Sequence, residues 1–162
     1  MLSIRLASAA DLEAINAIYN HYVATSTTTY DEEPMTADER RVWFEGRPPI
    51  HPVTAAERDG QLVGYGSLHP FRSKRGYRFT VENSVYVRHD CQRQGIGNAI
   101  LADQIERARA LGLRAIVAVI DAQQPASIAL HSRHGFVEVG RFPQIGTKFG
   151  AWLDVVFMER LI

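Results

Sequence analysis

Hydrophobic and polar positions change period several times along this chain, and each change marks an element. Ser3 to Leu6 alternates as a short strand, whereas Asp11 to Tyr22 spaces Leu12, Ile15, Ile18, Tyr19 and Tyr22 along one face of a helix. Thr36-Ala37-Asp38-Glu39 has the spacing of a capping box and opens a second helix carrying Val42, Trp43 and Phe44, which Gly46 and Pro48-Pro49 stop. Val53 to Arg58 and Leu62 to Leu68 flank Asp59-Gly60, the signature of a tight hairpin. Phe79 to Val87 predicts another strand. The following helix, from near Asn98, buries Ile100, Leu101, Ile105, Ala108 and Leu111 and is capped by Gly112. Leu113 to Ile120 is almost unbroken apolar sequence, as in a strand covered on both faces. Pro125 suits the first turn of a helix ending at Gly135, and strands near Val137 to Phe142 and Trp152 to Arg160 close the pattern. The order β-α-α-β-β-β-α-β-α-β-β predicts an α+β fold with a mixed, mostly antiparallel central sheet flanked by helices.

Composition narrows the function classes. A chain of 162 residues, 46% hydrophobic, is sized for a single domain spanning residues 1–162. Lys plus Arg and Asp plus Glu number 18 each, so no overall field favours a nucleic-acid or membrane partner. The lone cysteine, Cys91, cannot form an internal disulfide, and no apolar run approaches the roughly 18 residues of a membrane span. Met1-Leu2-Ser3-Ile4-Arg5 lacks the basic-then-apolar order of a signal peptide, so the expected location is cytoplasmic.

Chemistry enters at Gln92-Arg93-Gln94-Gly95-Ile96-Gly97, between the predicted strand and the helix after it. Glycines let backbone approach a ligand closely, and the unpaired N–H groups of a first helical turn attract an anion, most simply a phosphate. The dinucleotide fingerprint would need glycine where Ile100 stands, and the nucleotide-triphosphate loop would need Gly-Lys-Ser/Thr where Gly97-Asn98-Ala99 stands. Neither fits. What remains, Q-x-x-G-x-G after a strand, resembles the pyrophosphate loop of the GCN5-related N-acetyltransferases, which use acetyl-CoA. Ile18-Tyr19-Asn20-His21-Tyr22, Glu33-Pro34, Thr80-Val81-Glu82, Val85-Tyr86-Val87, Leu130-His131 with Gly135-Phe136, and Lys148-Phe149-Gly150-Ala151-Trp152 narrow the resemblance to one branch. It is the phosphinothricin and methionine sulfoximine N-acetyltransferases.

The resemblance implies acetyl-CoA as cosubstrate, no metal, and direct transfer to the α-amino group of a small amino acid or analogue within a ternary complex. It also implies a homodimer. Cofactor contacts carry over to Val85, Tyr86 and Val87, to the loop Gln92, Arg93, Gln94, Gly95, Ile96, Gly97, Asn98 and Ala99, and to Gln124, which stands where many relatives have asparagine. Strict alternation puts Phe79, Val81, Val85 and Val87 on one face of the strand and Thr80, Glu82, Ser84 and Tyr86 on the other, with Glu82 the lone acid. A solvated carboxylate fits that pattern. So does a general base, since an ammonium has no lone pair for attack until its proton is removed, and the resemblance favours that role. His131 stands where many members have a tyrosine that protonates the departing thiolate; a lone histidine on a helix is also a common structural residue, and His134 is a competitor. The basic stretch Phe71, Arg72, Ser73, Lys74 and Arg75 fits a solvated loop, or a grip on a substrate carboxylate. With Thr80, Glu82, Asn83, Ser84 and Val85 it forms the expected substrate site, with Tyr30 and Phe79 shaping the side-chain pocket.

Other chemistries fit less well. The histidines show no His-Glu-x-x-His pattern, and Gly64-Tyr65-Gly66-Ser67-Leu68 lacks the glycine a nucleophile elbow needs after serine. Direct transfer needs no acyl-cysteine, so Cys91 reads as packing. Two further functions stay open at this point: acetylation of a protein N-terminus or an antibiotic amine, and noncatalytic acyl-CoA binding in a regulatory domain.

Overall fold

A computed structural model describes all 162 residues. The elements are β1 (Leu2–Leu6), α1 (Leu12–Thr25), α2 (Ala37–Glu45), β2 (Val53–Arg58), β3 (Gln61–Pro70), β4 (Thr80–Val87), α3 (Ile96–Ala110), β5 (Ala115–Asp121), α4 (Pro125–Arg133), β6 (Val137–Lys148) and β7 (Ala151–Leu161). One seven-stranded sheet runs in the order β1-β2-β3-β4-β5-β7-β6. Every adjacent pair is antiparallel except β4 with β5, so the mixed, mostly antiparallel sheet expected from the sequence is present.

The parallel seam defines the molecule. β4 and β5 pair only at Thr80 with Ala115, Val81 with Ile116 and Glu82 with Val117; beyond Glu82 the strands diverge. One core fills the side of the sheet covered by α3 and α4, including Leu68, Val81, Leu101, Ile116, Phe136 and Val156. A second packs α1 on the other side, around Ile15, Ile18, Tyr22, Tyr65 and Tyr86. α3 lies unusually close to β3 because that strand carries glycine: a Cβ on Gly66 would sit 2.5 Å from Ile100 Cγ2 and 2.7 Å from Gln104 Nε2. Gly66→Ala would overpack the core, at a cost of about 1–3 kcal/mol.

Several local expectations are corrected. α3 begins at Ile96 rather than near Asn98, because Gly95 takes φ +80° as its N-cap and Ile96 and Gly97 are already helical. α1 continues to Thr25. β4 starts at Thr80, and Phe79 instead ends the preceding turn, its carbonyl accepting from Arg114 N at 2.8 Å. β6 and β7 are longer than their apolar pattern predicts. Pro143 lies inside β6, which it can do because β6 is the sheet edge and an irregular pairing spans Phe142 to Gly146. Tyr86 does not belong to a solvent face: it is buried under α1, stacked on Tyr65 with ring centroids 5.1 Å apart.

Candidate active site

The divergence of β4 from β5 opens a cleft of about 420 Å³. Its walls are β4 from Asn83 to Val87, β5 from Ala118 to Asp121, the glycine loop with the start of α3, and the inner face of α4 through Ser127, Leu130 and His131. Beyond Glu82, β4 has no partner on its β5 side, so an extended ligand can pair with it as an added strand would.

At one end stands the N-terminus of α3. No side chain caps it, and of its first N–H groups Ala99 N alone is satisfied within the helix, by Gly95 O at 3.1 Å. Ile96, Gly97 and Asn98 N–H are left for a ligand, at the positive end of the helix dipole. Arg93 at φ +59° and Gly95 at φ +80° turn the loop. Gly97 faces the cleft wall: a Cβ there would lie 3.4 Å from Leu130, 3.6 Å from Val87 and 3.8 Å from Val85. The loop is held from behind. Gln92 Nε2 donates to Tyr22 Oη at 2.8 Å, and that hydroxyl donates to Val87 O at 2.5 Å. These features fit a pyrophosphate on the loop and an amide-bearing arm along β4.

Not every expected cofactor residue lines the cleft. Val85, Tyr86, Val87, Gln92, Arg93, Gly95, Ile96, Gly97, Asn98 and Gln124 do. Gln94 instead accepts a hydrogen bond from Arg58, and the Ala99 N–H is taken by Gly95 O. Gln124 Nε2 donates to Thr27 Oγ1 at 3.1 Å, which leaves its Oε1 free.

Glu82 sits where the β4–β5 pairing ends, beside the cleft wall at Asn83. Its side chain keeps 28% of its exposure, and burial raises its pKa while the Arg72 charge lowers it. Across the ladder, burial drives His69 to a pKa of about 4, with Arg47 and His51 adding to the effect, so this imidazole is neutral at pH 7. Phe71 packs edge-on against Tyr77, and Arg72 lies over Phe71 at 5.2 Å. Phe71, Arg72, Ser73, Lys74 and Arg75 do not line the cleft; of them, Arg72 acts on Glu82. Thr80 lies within the paired seam. Ser84 lines the cleft, 3.4 Å from His69 Nε2.

His131 is buried, with Nδ1 2.8 Å from Ser127 O and Nε2 3.0 Å from Asn83 Nδ2. Burial pushes its pKa down, although the bond to Ser127 O opposes this. His134 lies further along, against Asn98 Oδ1 at 2.8 Å. Three features were not anticipated. The first is Gln104, whose signal was a polar residue at the centre of the apolar face of α3. The second is Thr28, in the segment between α1 and α2; it lines the cleft near the expected pocket residue Tyr30, whose Oη donates to Asp121 Oδ2 at 3.1 Å. The third is buried Lys148, whose Nζ donates to Ser26 O and Thr29 O, both at 2.7 Å, and so holds that segment in place. Cys91 is buried in a packing cluster with Ile96 and Ile100.

The acetyltransferase (GNAT) family model matches residues 15–136. An L-methionine sulfoximine/L-methionine sulfone acetyltransferase of Pseudomonas aeruginosa is 45% identical over 161 residues, covering 97% of this chain and 92% of that one. Two solved structures superpose closely. The yncA protein of Salmonella typhimurium, solved with its cofactor acetyl-CoA, has a TM-score of 0.95 at 40% identity, covering 99% of this chain and 93% of that one. A ribosomal-protein-alanine N-acetyltransferase from Brucella melitensis has a TM-score of 0.96 at 43% identity, covering 99% of both. The chain belongs to the GNAT acetyltransferase family. It is an acetyl-CoA-dependent N-acetyltransferase, and the cleft between β4 and β5 has the features that cosubstrate requires.

Proposed function

We propose that the acceptor is the α-amino group of a small L-amino acid or analogue, such as methionine sulfone, methionine sulfoximine or phosphinothricin. The observation that carries this reading is a half-buried Glu82 carboxylate, adjacent to the cleft wall at Asn83, that feels the Arg72 charge. A carboxylate beside a cation is a place for a zwitterion: Glu82 takes the ammonium end, and Arg72, with Lys74 or Arg75, takes the carboxylate or phosphinate. The similarity to the methionine sulfoximine acetyltransferase supports it.

Glu82 then removes the ammonium proton, directly or through a water, and the freed lone pair attacks the thioester carbonyl. Main-chain N–H groups of β4 near Val85 and Val87 polarise that carbonyl as it gains charge. The glycine loop and Val85–Val87 hold the rest of acetyl-CoA. A homodimer is supported by exposed Val137, Val139, Phe142, Ile145, Phe149 and Trp152 on the β6–β7 hairpin. No helix is long and apolar enough to cross a membrane, and a cytoplasmic setting suits the free thiol of Cys91.

A second reading, protein N-terminal acetylation, draws on the similarity to the ribosomal-protein-alanine acetyltransferase. One panel separates them: free-thiol release with L-methionine sulfone, its methyl ester, its decarboxylated amine, and a peptide beginning with alanine. The free amino acid should be turned over and the ester and amine should fail. Preference for the peptide would favour the second reading.

A further inference from the structure

Gln104 is 1% exposed, on the apolar stripe of α3 between Ile100 and Ala108. Its Nε2 donates to Ser67 O on β3 at 3.2 Å and to Ser84 O on β4 at 2.9 Å. Carbonyl oxygens only accept, so these two contacts fix which end of the amide is nitrogen and leave Oε1 facing Asn83. Asn83 Nδ2 donates to that Oε1 at 3.2 Å, and its other hydrogen is directed to His131 Nε2 at 3.0 Å. The same ring is constrained from its far side. Its Nδ1, 2.8 Å from Ser127 O, must carry a proton, because that partner too can only accept. Two independent chains of assignment, one from α3 and one from α4, therefore meet on the same tautomer.

We infer that Gln104 and Asn83 are positioning residues that hold His131 as the neutral Nδ1–H tautomer, with Nε2 an acceptor, so that His131 braces the cleft and does not protonate the departing thiolate. Adding a proton at Nε2 would set N–H against N–H. Turning the Asn83 amide over to relieve this would set its oxygen against Gln104 Oε1, and Gln104 cannot turn in response without facing two carbonyls with its own oxygen. The remaining atom of the network agrees: Asn83 Oδ1 is buried with no partner, the residue of an orientation imposed from outside. His134 acts on His131 in the same direction, disfavouring a positive charge on the ring. The ring faces Phe136, which is uncharged, at 4.9 Å.

The consequence for the reaction, which rests on the acetyl-transfer reading, is a simple proton balance. The first ammonium proton passes to Glu82, the new C–N bond forms as the C–S bond breaks with the sulfur keeping the electron pair, and the second nitrogen proton is relayed through water to that sulfur.

The tautomer is directly measurable in ¹⁵N-histidine-labelled protein, without activity. At neutral pH His131 should show a protonated-type Nδ1 and a bare, pyridine-type Nε2; a proton on Nε2 in the wild-type protein would overturn the inference. Asn83→Asp, whose carboxylate can only accept, should move a proton onto Nε2, and Gln104→Leu, which frees the Asn83 amide to turn, should begin to do so. A folded Asn83→Asp with an unchanged ring would also overturn it. Turnover of L-methionine sulfone gives the other arm. His131→Gln, which keeps an acceptor near the Nε2 position, should recover much of the activity lost in His131→Phe. Equal losses of roughly 10²-fold or more in both, the size of a missing general acid, would restore His131 as the proton donor. Failure of the substrate reading would remove this last arm and leave the ¹⁵N result standing.

Discussion

His69 lies directly across the β3–β4 ladder from Glu82, with its Nε2 4.0 Å from Glu82 Oε1. The contact has the geometry of an ion pair without the charge, since burial holds the imidazole neutral down to about pH 4. Glu82 therefore keeps a pKa raised by burial and is lowered chiefly by Arg72. If Glu82 is the base it must be ionised, and kcat/KM should rise with pH through its pKa, with a midpoint above the ordinary glutamate value of about 4.3. Glu82→Gln should cut kcat by roughly 10²- to 10⁴-fold and abolish that acidic limb. Steady-state pH profiles of both proteins check this; an unaltered limb in the variant would assign the base elsewhere.

Arg72 gives a second, linked outcome. Arg72→Gln removes the charge that lowers the Glu82 pKa, so the acidic limb should move to higher pH. If the same guanidinium grips the substrate anion, KM for the free amino acid should rise by roughly 10- to 100-fold, as for loss of a charge-assisted hydrogen bond of about 1.5–3 kcal/mol. A shifted limb with constant KM would keep Arg72 as a neighbour of the base and pass the anion to Lys74 or Arg75.

Gly97 tests the cosubstrate cradle. Its Cβ position has ordinary van der Waals room against Leu130, Val87 and Val85, so Gly97→Val should fold. Its methyl groups would occupy the cleft. Titration calorimetry should show acetyl-CoA affinity weakened by about 10²-fold or more, close to 3 kcal/mol, with thermal unfolding of the free protein little changed.

A stability prediction lies far from the site. Arg5 grips Asp11 with two hydrogen bonds of 2.8 Å, and Ser8 N adds a third at 2.7 Å. The Arg5 contact, helped by Ser8, lowers the Asp11 pKa from 3.8 to about 2. A depressed carboxylate stabilises the fold above its unfolded pKa and loses that contribution as pH falls through its folded one. With Arg5 partly exposed, Asp11→Asn should cost about 1–2 kcal/mol at pH 7. It should also flatten the decline in stability between about pH 4 and pH 2, which urea titrations at several pH values would show.

The fold was legible wherever one period dominated. The helical spacing of Ile100, Leu101, Ile105 and Ala108 and the apolar run from Leu113 to Ile120 place α3 and β5, with their starts off by about two residues. Reading failed where partners distant in sequence decide the outcome. Pro143 and Gly146 look like breakers, yet an edge strand tolerates both. Tyr86 reads as a polar-face residue until α1 supplies Tyr19 and Tyr22 to bury it. The glycine loop announced itself because its chemistry is local. The network of Gln104, Asn83 and His131 did not, since it joins α3, β4 and α4 through hydrogen bonds between residues 21 and 48 positions apart.

The three residue pairs that stitch β4 to β5 are the whole of the direct ladder between two leaves of the sheet, β1 to β4 on one side and β5 to β7 on the other. A ligand lying along β4 in the cleft works as a suture over the length where the stitching is absent. Elsewhere the two leaves are joined through the core that packs Leu68 and Val81 against Ile116 and Val156, so Glu82 stands where backbone pairing gives way to side-chain packing alone. Filling the cleft should therefore slow amide exchange along the facing edges of both strands, where no ladder protects them.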